Sequence, residues 1–112
     1  MLEQRTRLIM LYDFYGALLT DIQSTYIKAH YVEDCSLMEI AEEYGVSRQA
    51  VHDSLKRAQL LLEDFEAKLK FTERWQRQQE HLRALAVELD KNNLDIAKCQ
   101  KLLNIVLQEG VE

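Results

Sequence analysis

Within fifteen residues, Leu37 to Val51, the sequence meets several independent steric demands at once. Ala41 is small enough for a following helix to cross closely over it. Gly45 is the residue type that best accepts a left-handed backbone at a helix end, and Val46 is sized to plug the gap between two helices. Ser47 can cap the next helix, and Val51 can anchor that helix to a core. Such a window predicts two helices joined by a tight turn, a helix-turn-helix. Ser36, followed at the third position by Glu39, supplies a capping box at its start. The first helix then carries Leu37, Ile40, Ala41 and Tyr44 inward.

The periodicity extends on both sides. Leu8, Leu11, Tyr12, Tyr15, Leu18 and Leu19 recur at three- and four-residue steps, one face of an amphipathic helix. Thr20 can cap a second helix with Asp21 in its first turn, and Ile22, Tyr26 and Ile27 are expected to form its buried face until it ends near Val32. Glu33 to Ser36 reads as a polar turn. Beyond the window, Val51, Leu55, Ala58, Leu62, Phe65 and Leu69 step alternately by four and three, a heptad-like seam. Such a seam packs either on the other helices of the domain or on a second copy. Val51 and Leu55 read as intramolecular, and Phe65 and Leu69 as partner-facing. Thr72 is expected to cap a further helix with Trp75, Leu82, Leu85, Ala86 and Leu89, where Trp75 reads equally as core or as a subunit contact. Asn92 and Asn93 suggest a turn before a last helix with Ile96, Leu102, Leu103, Ile105 and Val106. The tyrosines at 12, 15, 26, 31 and 44 fall on the inward stripes and read as core.

Proline is absent and glycine occurs only 3 times, so the punctuation of an all-β fold is missing. The fold class is therefore all-α. The 112 residues fit a single helical domain, 1–112, with a helix-turn-helix core at about 20–69 and a C-terminal helical extension at about 72–109. No apolar run is long enough to span a membrane, and Met1 to Arg7 is too polar for a secretory signal, which points to a cytoplasmic protein. Cys35 and Cys99 lack ligand spacing, and His30, His52 and His81 are widely separated, so neither a metal nor a disulfide framework is expected. No phosphate-binding glycine loop and no pairing of nucleophile with base is visible. The chain reads as a binding protein without cofactor, not an enzyme. Its net charge of -5 has the wrong sign for gripping nucleic acid by bulk electrostatics, so any such contact must be local.

The stretch from Leu19 to about Leu69 resembles region 4 of bacterial sigma factors. More closely, the chain resembles the YlxM family of small bacterial proteins, through Phe14-Tyr15-Gly16-Ala17-Leu18-Leu19-Thr20, His30-Tyr31 to Asp34, Glu39 to Val51 and Leu62 to Leu69. The resemblance implies a sigma-region-4-like fold with a long recognition helix. It also implies a family whose genes neighbour those of the signal recognition particle and its receptor, and hence a role in protein targeting.

In a helix-turn-helix the second helix enters the major groove, and its early outward side chains reach bases and phosphates. Here these are Ser47, Arg48, Gln49, His52, Asp53, Lys56 and Arg57. Arg48 offers paired donors matched to guanine, and Gln49 a donor and acceptor matched to adenine. Ser47 and Lys56 suit phosphate. Each also has a plainer reading, Ser47 as a cap, His52, Lys56 and Arg57 as solvated surface. Asp53 stands where the sigma-like pattern presents a DNA-facing residue, and an acid there repels phosphate, although it can accept from a cytosine amine. Glu39, Glu42 and Glu43 crowd the preceding helix, while Arg5, Arg7, Arg74 and Arg77 read mainly as solvated faces.

Two functions follow. One is a helix-turn-helix regulator binding DNA, or the RNA of the signal recognition particle, as a homodimer closed by the C-terminal helices. The other is an accessory factor that binds the particle's protein or RNA without binding DNA.

Overall fold

The computed structural model describes residues 2–109; Met1 and residues 110–112, the two ends of the span read as one domain, lie outside the described residues. The described residues form helices joined by short turns, with no strand among them. The chain divides into two compact units, Met1–Lys70 and Phe71–Glu112.

The first unit contains α1 (Leu2–Tyr15), α2 (Asp21–Ile27), α3 (Leu37–Tyr44) and α4 (Arg48–Leu69). Its core gathers Leu8, Leu11 and Tyr15 of α1, Tyr26 and Ile27 of α2, Ile40 and Ala41 of α3, and Val51, Leu55, Ala58 and Leu62 of α4. Each large aliphatic side chain so buried contributes about 1.5–3 kcal/mol. The seam of α4 is thus closed within the unit as far as Leu62. Phe65 also packs against this core, its ring 6.0 Å from that of Tyr15, although the sequence assigned it to a partner. Leu69 is exposed.

Caps start the helices as expected. Thr20 and Ser36 each accept from the backbone N–H three residues on, and the Gln23 and Glu39 side chains return the bond. Gly45 stops α3 with φ 66°, a conformation that costs an L-residue side-chain strain.

Several inward assignments do not hold. After Tyr15 the chain tightens into a 3-10 turn, Gly16–Leu18, which rotates Leu18 outward and brings Leu19 in. Ile22 is 55% exposed because the core takes only the last turn of α2. Val46 is 40% exposed; its N–H donates to the Ala41 carbonyl at 3.1 Å, so it closes the turn through its backbone rather than by plugging a gap. Tyr44 is also exposed, with its ring edge-on to that of Tyr26, 5.5 Å away.

From Lys28 to Val32, α2 continues as a π-helix, a widened turn that sequence periodicity does not reveal. Here the Tyr31 carbonyl accepts from Arg5 Nε and Nη2 at 3.2 and 2.9 Å, and Arg5 also pairs with Asp34. Arg7 makes a two-pronged pair with Glu63 of α4, at 2.8 and 2.7 Å. Both arginines therefore tie α1 to the rest of the unit and are not simply solvated.

The second unit consists of α5 (Phe71–Leu89) and α6 (Ile96–Glu109), packed on each other as a hairpin. Thr72 lies inside α5 and is buried, so it does not cap that helix; the break comes at Lys70, which takes φ 56°. The turn expected at Asn92 and Asn93 is present, without left-handed backbone at either residue. The Asp95 side chain caps α6 by accepting from the Lys98 N–H at 3.1 Å.

Candidate nucleic-acid interface

Gly45 and the Ser47 cap together set where α4 begins. Ser47 Oγ accepts from the Ala50 N–H at 3.0 Å, satisfying a donor that would otherwise be left at the helix start. Ala41 is buried where α3 meets α4, and Val51 and Leu55 are sealed in the core. These contacts fix the rotation of α4 about its axis. At 3.6 residues per turn, Arg48, Gln49, His52, Asp53, Lys56 and Arg57 then fall on about half the circumference, opposite the Val51–Leu62 seam. Ser47, Arg48, Gln49, His52, Lys56 and Arg57 are exposed, and Asp53 is half-buried.

Asp53 organises the middle of this surface. Its Oδ1 accepts from Gln49 Nε2 at 2.9 Å and lies 3.4 Å from His52 Nδ1. The amide that would read adenine is therefore occupied within the helix. The spacing of four between Gln49 and Asp53 was a legible signal for such a bond. Arg48, Lys56 and Arg57 make no ion pair among the described residues, and their charges remain available. Lys56 also borders a small open cleft between α1 and α4, lined by Gln4, Arg7, Leu8, Gln59, Leu60 and Glu63.

Glu42 and Glu43 of α3 are exposed beside the turn. Glu39 is committed to the cap: the Ser36 backbone N–H, and next the Ser36 hydroxyl, hold its carboxyl below the usual range. Hydrogen bonding to Arg7 likewise lowers Glu63. Burial, and then the carboxylates led by Glu39, push the Cys35 thiol up, which disfavours the reactive thiolate. Among the described residues no His, Cys, Asp and Glu side chains gather in a set able to hold a metal, and no helix is long and apolar enough to cross a membrane.

A family model described as "Putative helix-turn-helix protein, YlxM / p13 like" matches residues 2–104. A UPF0122 protein of Anoxybacillus flavithermus is 44% identical over 103 residues, covering 92% of this chain and 94% of that protein. A UPF0122 protein of Streptococcus gordonii is 56% identical over 68 residues, covering 61% of this chain and 62% of its own length. The family is one of helix-turn-helix proteins rather than of enzymes. The match spans nearly the whole chain, and the chain belongs to the UPF0122 family of YlxM-like helix-turn-helix proteins.

Proposed function

We propose that this protein is a cytoplasmic nucleic-acid-binding regulator that lays the first turns of α4 in the major groove of a duplex. The observation that carries this reading is the placement of Arg48, Lys56 and Arg57 on the exposed half of α4, opposite the buried seam. Arg48, at the start of the helix, reads guanine; Lys56 and Arg57 hold phosphates and set the register. Gln49 reads a base only after leaving Asp53, so sequence preference rests on Arg48 and affinity on the lysine and arginine that follow.

Fluorescence-anisotropy titration against random duplex DNA and signal recognition particle RNA at two salt concentrations tests the reading. Duplex affinity should fall steeply as salt rises. Arg48→Ala should weaken it about tenfold or more, and Lys56→Ala should lower the salt slope by about one. Asp53→Asn should strengthen binding by removing a charge that repels phosphate.

The Asp53–Gln49 bond, together with exposed Glu42 and Glu43, favours a second reading. In it the protein is an accessory factor of the signal recognition particle, meeting a basic partner through its acidic side. Charge reversal at Glu42 and Glu43 would then matter more than Arg48→Ala, and duplex DNA would not bind.

A further inference from the structure

In the α5–α6 hairpin, large apolar side chains remain in water. Leu82 and Leu89 on α5 are 38% and 56% exposed, and Ile96, Leu103 and Leu107 on α6 are 62%, 44% and 60% exposed. Among the described apolar residues of this unit only Cys99 is buried.

These five side chains share one face. On α6, buried Cys99 and half-buried Leu102 and Val106 mark the side turned to α5. At 100° per residue, Ile96, Leu103 and Leu107 lie about 80° further round in the sense of chain advance. On α5, half-buried Leu85 and buried Glu88 mark the side turned to α6, and Glu88 Oε2 reaches Lys98 Nζ of that helix at 3.3 Å. Leu82 and Leu89 again lie about 80° further round in the same sense. The short connection makes the two helices antiparallel. Equal rotations of the same sense on antiparallel neighbours bring both stripes to the same side, with Leu89 beside Ile96 and Leu82 beside Leu103.

We propose that this face is the interface of a homodimer, in which two α5–α6 hairpins pack into a four-helix bundle. The residues bordering it are Gln79, Ala86, Gln100 and Asn104. They carry no charge to repel a second copy, and no cation to attract nucleic acid or an anionic lipid surface. Area agrees as well. Two adjacent helices of 19 and 14 residues, each about 10 Å across, present a flat outline of roughly 500 Å², which suits a small interface and hence a concentration-dependent equilibrium. A helical hairpin of this size is, moreover, below the length at which a chain builds a sufficient core by itself. The inference is independent of the nucleic-acid reading, since its test uses no nucleic acid.

Sedimentation velocity of the full chain across a concentration series should show a monomer–dimer equilibrium. Ile96→Lys and Leu107→Lys should each raise the dissociation constant about tenfold or more. Both sites are mostly in water, so the monomer should keep its helicity by circular dichroism. Val87→Lys, 63% exposed and on another side of α5, should leave the dissociation constant unchanged. In the wild-type chain, amide-exchange protection in α5 and α6 should rise with concentration. A monomer at high micromolar concentration overturns the proposal, as do a dimer indifferent to both lysines, equal weakening by Val87→Lys, or protection that ignores concentration.

Discussion

The two units handle apolar surface in opposite ways. In Met1–Lys70, α1, α2, α3 and α4 enclose a common core, and fully buried Leu11, Tyr15, Ile27, Ile40, Val51 and Leu62 lie at its centre. In Phe71–Glu112, two helices can cover only one side of each other. Their buried residues among those described are Thr72, Glu88 and Cys99. The difference teaches that a helix needs neighbours on more than one flank before its apolar arc is closed. The polar contacts follow the same division. Arg5 and Arg7 join segments distant in sequence, whereas Glu88 staples the connection of a hairpin through nearby Lys91 and Lys98.

The strongest test of this contrast compares leucines. Leu62→Ala empties space in a closed core and should cost about 2–5 kcal/mol in urea denaturation of the first unit. Leu103→Ala, at dilutions that keep the chain monomeric, should cost much less, because Leu103 is 44% exposed. Equal losses would remove the distinction between closed and open packing.

Next comes the polar link inside the closed core. The Tyr15 hydroxyl donates to Glu66 Oε1 at 2.5 Å, in a buried setting. Tyr15→Phe keeps the ring and should cost about 1–3 kcal/mol, since a buried carboxylate loses a donor. A neutral result would mean that this hydrogen bond adds nothing to the packing and the Arg7–Glu63 pair that hold α1 on α4.

A smaller effect is expected at the entry to the helix-turn-helix. Ser36→Ala removes the cap of α3 and should cost about 1 kcal/mol. The same change should abolish part of the acid dependence. Glu39 has its carboxyl lowered by Ser36, so its contribution is present above the usual carboxylate value of about 4.3 and is lost as pH falls through the lowered folded value.

The smallest and most local effect concerns the hairpin. Hydrogen bonding to Lys91, and next to Lys98, holds the Glu88 carboxyl low. Protection of amides near the α5–α6 connection should therefore persist at neutral pH and weaken as acid protonates Glu88. Glu88→Gln should flatten that dependence, while leaving α4 protection unaltered. An acid response identical in both chains would show that the staple contributes nothing.

Much of the first unit is legible in the sequence because its determinants are local. A capping pair spans three residues, a glycine stop is one residue, and a seam repeats every turn or two. Thr20, Ser36, Gly45 and Ser47 therefore act as their residue types require, and Val51 to Leu62 lie inward as their spacing demands. The same logic was less reliable at boundaries. Leu18 continues the apolar period but turns outward at the 3-10 segment, and Thr72 has the chemistry of a cap but sits one residue inside a helix that begins after left-handed Lys70. On the α4 surface, Gln49 and Asp53 stand four residues apart, so their bond could have been anticipated. The outward position of the whole set could be read from the seam on the other side.

The sequence by itself determined the fold class, the helix-turn-helix and the face of α4 that meets solvent, since each follows from periodicity or a local backbone preference. Tertiary structure alone decided that Arg5 grips the widened turn at Tyr31, that Arg7 pairs with Glu63, and that Phe65 joins the core. It also decided which apolar stripes of α5 and α6 remain uncovered. Those outcomes depend on which segments become neighbours in space, and side-chain spacing along one helix carries no information about the partner across from it.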